Sequence, residues 1–124
     1  MRYVAIGDSF TEGLGDELPD GSVRGWADRV AAGLAVASGA PVEYANLAIR
    51  GRLLEPIVTE QLDAALSLTP PPTLMTLNGG GNDMMRPGSE SSGVVNISVA
   101  RLSGSCVISS YALNAGSPEA CVSK

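Results

Sequence analysis

The stretch Tyr3-Val4-Ala5-Ile6-Gly7-Asp8-Ser9 lies at the start of the chain, as a short apolar run that ends in a glycine and two polar residues. An apolar run of this length is typical of a parallel strand buried on both faces of a sheet. Ser9 follows directly and is a candidate nucleophile. The same Asp-Ser pair is also an ordinary turn, because both side chains bond readily to nearby backbone.

Two further motifs follow apolar runs in the same way. Residues 46–51 (Asn-Leu-Ala-Ile-Arg-Gly) close the run from Val42 to Leu47, and residues 78–83 (Asn-Gly-Gly-Gly-Asn-Asp) follow the run from Thr73 to Leu77. Ligands bind beyond the carboxyl ends of the strands in open parallel α/β sheets. The three motifs are therefore expected to lie together at one edge of a sheet.

Between these runs, apolar residues recur at the spacing of a helix. The first set is Trp26, Val30, Leu34 and Ala37, and the second is Leu53, Ile57, Val58, Leu62, Ala65 and Leu66. Pro56 is tolerated only in the first turn of the second helix. The alternation of strands and helices predicts right-handed βαβ units and an α/β fold. The polar stretch from Thr11 to Gly25 is too long for a simple connector and is expected to shape the rim of a site.

Together, the motifs GDSFTEG (7–13), NLAIRG (46–51) and GGGND (79–83) resemble the first three sequence blocks of the SGNH, or GDSL-like, hydrolase family. The resemblance covers residues 1 to about 88. It implies a three-layer, flavodoxin-like parallel sheet that is incomplete at its C-terminus. It also implies hydrolysis of a small-molecule carboxylic ester, without a cofactor.

The resemblance also implies roles for particular residues. Ser9 would be the nucleophile, and Gly51 and Asn82 would help to stabilise the negative oxygen of the reaction intermediate. The supporting residues would be Gly7, Asp8, Asn46, Gly80 and Asp83. Simpler interpretations stay open, since Gly51 also suits a turn before a helix and Asn82 also suits a helix N-cap.

The chain contains no histidine. A serine hydroxyl needs a neighbouring base, and histidine is the usual one because its pKa lies near neutrality. The family's Asp-x-x-His block, which would supply the base and its carboxylate, is absent. The chain is therefore expected to be an inactive or barely active esterase fragment. The alternative is a non-catalytic module that binds an acyl or acetyl group.

Composition limits the possible partners. The 124 residues carry a net charge of −5, which gives no electrostatic reason to expect binding to nucleic acid. Neither a signal peptide nor an apolar segment long enough to span a membrane is evident, so a cytoplasmic location is expected. Cys106 and Cys121 are expected to be reduced, and they are too far apart in sequence for a typical zinc ligand pair. The oligomeric state is left open.

The chain changes character after residue 88. Ten serines fall in residues 89–124 against four before them, while acidic residues drop from eleven to two. No helical pattern follows the third strand, although Val94 to Leu102 and Cys106 to Leu113 have some strand character. Residues 1–88 are therefore interpreted as the N-terminal part of a hydrolase domain. Residues 89–124 are interpreted as an atypical tail, through either truncation or an out-of-frame read, which the three reading frames downstream of Gly88 would distinguish.

Overall fold

The computed structural model describes residues 1–87 and the backbone of residues 96–102 and 106–112. Strand β1 (Arg2–Gly7) leads into the short helix α1 (Ser9–Glu12), and α2 (Trp26–Ser38) precedes β2 (Glu43–Asn46). A helical segment then runs through α3 (Leu54–Pro56), a π-helical turn (Ile57–Gln61) and α4 (Leu62–Leu66). It is followed by β3 (Leu74–Gly79), α5 (Gly81–Met84), β4 (Asn96–Leu102) and β5 (Cys106–Ala112).

The strands form one sheet in the order β2-β1-β3-β4-β5. The first three are parallel, with Val4 paired to Ala45 on one side and to Met75 on the other. The predicted α/β class and parallel arrangement are therefore confirmed. The two runs with strand character after residue 88 are strands as well, but β4 and β5 are antiparallel. An antiparallel neighbour needs no crossover helix, which agrees with the lack of a helical pattern after β3.

Helices cover both faces of β1, which gives the three layers. On one face, Val4 and Ile6 pack against Ile57, Ala65 and Met75. On the opposite face, Tyr3 and Ala5 pack against Ala27 and Ala31 of α2. Residues 3–6 are completely buried, as expected for a central strand whose successive side chains point to opposite faces.

Helix α2 contacts the sheet through only some of the apolar residues that recur at helical spacing. Ala27 and Ala31 are buried, whereas Val30 is 37% exposed and Ala37 is exposed. The contact follows positions 27, 31 and 34, which share a face at helical spacing. Of the four apolar residues at helical spacing, Trp26 and Leu34 pack against this core from partly buried positions. At 13 residues, α2 is the longest described helix, and no helix in the described part of the chain is long and apolar enough to cross a membrane.

We expect the isolated chain to aggregate or to bind a hydrophobic dye. Between β3 and β4 the described residues contain only the four-residue helix α5, and β5 lies at the edge of the sheet. The unpaired backbone groups of an edge strand invite pairing with another chain. Light scattering and dye fluorescence measure this directly. A cooperative melt of a monomer above about 45 °C, the low end of the usual range, would contradict it.

Candidate active site

Ser9 is the first residue of α1, directly beyond the carboxyl end of β1. The preceding Asp8 is buried and caps this helix, since its carboxylate accepts a hydrogen bond of 3.1 Å from Phe10 N. The helix ends at Glu12, and the capping residue Gly13 adopts the left-handed conformation with φ 99°. Ser9 itself is partly exposed. The structure thus combines both interpretations of Asp8-Ser9, because the pair forms a cap and also places the serine at the end of a strand.

Gly7 lies where two segments of backbone meet. A Cβ at this position would collide with the carbonyl oxygen of Asn78 on β3 and with the hydroxyl of Thr11 on α1. Thr11 is completely buried. The glycine therefore allows α1 to pack closely against the end of the sheet, which places Ser9 just beyond the carboxyl end of β1.

The buried Gln61 is a residue that the sequence analysis missed. Gly7 N donates to Gln61 Oε1 at 2.8 Å, and Gln61 Nε2 donates to Gly7 O at 3.0 Å. Gln61 is only 5% exposed and ends the π-helical turn within the segment 54–66. Its position four residues from both Ile57 and Ala65 places it on the apolar face of that helix, which was the available signal.

The loop after β2 is joined to α1 by two sets of contacts. Asn46 Nδ2 donates to Thr11 O at 2.8 Å. The Glu12 carboxylate pairs with the Arg50 guanidinium at 2.7 Å and accepts a hydrogen bond of 2.8 Å from Arg50 N. The side-chain hydrogen bond from Arg50 lowers the pKa of the Glu12 carboxyl below its ordinary value of 4.5. These contacts fix the second loop relative to Ser9.

Gly51 lies in the turn that leads from β2 towards α3. Arg52 N donates to Ile49 O across this turn at 3.4 Å, and Gly51 has φ 76°. A Cβ added at Gly51 would meet no atom within 4 Å. The positive φ, and not crowding, is therefore what favours glycine here.

The loop after β3 contacts the loop after β2. Asn82 Nδ2 donates to Arg52 O at 2.8 Å, and Asp83 Oδ2 accepts from Leu54 N at 2.9 Å. Asp83 thus caps α3 from a distant part of the sequence. Gly80 precedes α5 with φ 103°, in the left-handed conformation. Because an amide nitrogen carries two hydrogens, Asn82 keeps one donor beyond the bond to Arg52.

All three sequence motifs therefore meet beyond the carboxyl ends of β1, β2 and β3. Hydrogen bonds join α1, which begins at Ser9, to the segment that contains Asn46 and Gly51, and join that segment to Asn82. The chain contributes no imidazole to this cluster, since its sequence has no histidine. Within residues 1–87, no group of three or more His, Cys, Asp or Glu side chains is placed to hold a metal ion.

Comparison with known proteins assigns the chain to a family. No curated protein sequence matches it. Residues 5–114 match the GDSL-like Lipase/Acylhydrolase family. The match contains the three loops of the cluster and continues beyond residue 88, where the sequence resemblance ends, to include β4 and β5. The division of the chain at residue 88 stays a prediction. Since the match takes in most of the 124 residues, the chain belongs to the GDSL-like lipase/acylhydrolase family of hydrolases.

Proposed function

We propose that this chain carries the nucleophile and the oxyanion-binding groups of a serine ester hydrolase, and that it hydrolyses esters weakly or not at all. One observation supports this above the others: hydrogen bonds hold the segments that contain Ser9, Gly51 and Asn82 in one cluster beyond the carboxyl ends of the parallel strands. Catalysis of acyl transfer needs a nucleophile and fixed donors close together. Family membership supplies the reaction class.

In the proposed chemistry, Ser9 Oγ attacks the carbonyl carbon of a carboxylic ester. The carbonyl oxygen becomes negative and accepts hydrogen bonds from the backbone N–H of Ser9, the backbone N–H of Gly51 and the free amide hydrogen of Asn82. The intermediate then collapses: the bond to the alkoxide breaks, the alkoxide takes a proton from water and leaves as the alcohol, and an ester between the acyl group and Ser9 Oγ remains. Water hydrolyses this ester, which releases the acid and restores the Ser9 hydroxyl.

The step that this chain lacks is removal of the proton from Ser9. The motifs contain the carboxylates of Asp8, Glu12 and Asp83. Asp8 caps α1, Glu12 pairs with Arg50 and Asp83 caps α3. We therefore assign none of these carboxylates as the general base.

A base supplied in solution should make Ser9 reactive. We expect a fluorophosphonate probe to leave Ser9 unlabelled in buffer and to label it when imidazole is supplied, because imidazole replaces the missing side chain. Mass spectrometry of the peptide that contains Ser9 measures the labelling, with Ser9→Ala as the control. Stoichiometric labelling without imidazole would show that another group serves as the base. Equal labelling of the control would refute the role of Ser9.

A second candidate function, non-catalytic binding of an acyl group, is favoured by a groove beside α1. This groove has a volume of about 370 Å³, and its lining includes Phe10, Leu14 and Trp26. Phe10 is 63% exposed and Leu14 is 49% exposed. Ser9 itself does not line the groove, but these apolar side chains would suit the hydrocarbon part of an acyl group.

Trp26 is the only tryptophan in the chain, so its fluorescence reports on this groove. For the binding function, we expect a saturable fluorescence change on titration with a methyl alkyl ketone, which resembles an ester but has no leaving group. Leu14→Asp should abolish the change. Val36→Ser should preserve it, since Val36 is 85% exposed and does not line the groove. A linear response in the unaltered chain would eliminate this candidate.

A further inference from the structure

The amide of Gln61 makes an unusual pair of contacts with the backbone before Ser9. A buried polar side chain needs partners, and this one satisfies both its oxygen and its nitrogen on the same residue, Gly7, at 2.8 and 3.0 Å. Its neighbours on the same helical face, Ile57 and Ala65, are completely buried and apolar. Packing alone would be served by an apolar residue at position 61, so the amide needs another explanation.

Gly7 is the last residue of β1, and its carbonyl belongs to the peptide that joins it to Asp8. That carbonyl oxygen accepts hydrogen bonds from two donors, Gln61 Nε2 and Ile49 N, the latter at 3.1 Å. Because a peptide unit is planar, fixing its oxygen fixes the direction in which the chain leaves the strand. The next residues along that direction are Asp8 and Ser9.

We propose that Gln61 is a positioning residue for Ser9, which acts by holding both polar groups of Gly7. The inference depends on the proposed function only in calling Ser9 the nucleophile. An amide suits this role because it places one donor and one acceptor on the same planar group. A carboxylate has acceptors only, so it could bond to Gly7 N but would oppose Gly7 O. A protonated carboxyl has a donor again and could make both bonds.

Two substitutions use this difference. Gln61→Met keeps the length of the side chain and removes both bonds. Gln61→Glu restores them only when the new carboxyl is protonated, so its pKa in the folded chain should be higher than the ordinary value near 4.3. The benefit of that carboxyl is then present below the ordinary pKa and is lost as the pH rises through the raised value. Ala64→Glu is the matched control, because residue 64 is exposed on the same helical segment.

Hydrogen exchange followed by mass spectrometry measures the effect at low protein concentration. In Gln61→Met we expect exchange in residues 7–10 to accelerate about 10-fold or more relative to residues 74–79 of β3, as the loss of two ordinary hydrogen bonds implies. Gln61→Glu should behave in the same way at pH 7 and recover as the pH falls towards about 4. The Ala64→Glu control should match the unaltered chain at both values. Exchange rates are corrected for the intrinsic effect of pH.

Several results would overturn the inference. One is equal acceleration of residues 7–10 and residues 74–79 in Gln61→Met, because a purely packing role would loosen both. Another is exchange in Gln61→Glu that shows no recovery at low pH, or failure of that variant to fold at every pH. If Gln61→Met does not fold, Gln61→Glu compared at the two pH values decides alone.

Fluorophosphonate labelling with imidazole adds a readout at Ser9 itself. We expect labelling to fall in Gln61→Met and to persist in Ala64→Glu. If Ser9 is not labelled even in the unaltered chain, the proposed function fails, while the exchange experiment still tests whether Gln61 holds the loop.

Discussion

We expect Ser9→Ala to leave the rate of ester hydrolysis by this chain unchanged, because Ser9 without a base contributes nothing measurable to that rate. Loss of the histidine base from a serine triad costs on the order of 10⁶ in turnover in a serine protease, and leaves roughly 10³–10⁴ over water through the oxyanion hole and binding. This sequence contains no histidine, so the same loss applies here. Turnover of an activated acetate ester, measured for the unaltered chain and for Ser9→Ala, should agree within error.

The matched control for this measurement is Ser38→Ala. Ser38 is exposed at the end of α2, so its replacement tests for general effects of removing a hydroxyl. An activity that disappears in Ser9→Ala and survives in Ser38→Ala would contradict the expectation. It would mean that a group within this chain, or a histidine from a partner, removes the proton from Ser9.

Gly7→Ala is expected to destabilise the chain by about 3 kcal/mol or more, because overpacking against rigid atoms already costs about 1–3 kcal/mol. The new Cβ would collide with the carbonyl oxygen of Asn78, which is backbone and belongs to the central part of the sheet. It would also collide with the side chain of the completely buried Thr11. Neither neighbour can move without disturbing β3 or α1. The free energy of unfolding in urea, or the soluble fraction after expression, measures the loss.

The Gly51→Ala variant measures the cost of backbone strain without crowding, for comparison with Gly7→Ala. Gly51 has φ 76° but open space around its missing Cβ. Its replacement should therefore cost only the left-handed conformation, about 1–2 kcal/mol. Equal losses for the two variants would show that crowding at Gly7 is relieved by small movements, and that the close approach of α1 to the sheet end is not essential.

The local pattern of the sequence was sufficient to predict the first three strands, the two longer helical segments between them and the family. It did not predict the short helix α1. Each of the predicted features depends on neighbours in the chain: the apolar run before Gly7 makes a buried strand, and helical spacing makes the segment from Leu54 to Leu66. The three motifs could also be expected to meet, because parallel strands bring their carboxyl ends to one edge. The absence of a histidine base could be predicted from the composition alone, because the sequence contains no histidine.

Contacts between distant residues required the tertiary structure. In the sequence, Gln61 only interrupts the apolar face of a helix. Its role becomes visible when that helix packs against the end of β1, where Gln61 bonds to Gly7, 54 residues earlier in the chain. Likewise, Asp83 caps α3, and Glu12 pairs with Arg50, only because the loops after the three strands converge. The buried face of α2 and the antiparallel direction of β4 were also decided there. Sequence spacing specifies which residues can share a face, whereas the packing of the completed sheet decides which polar groups lie close enough to bond.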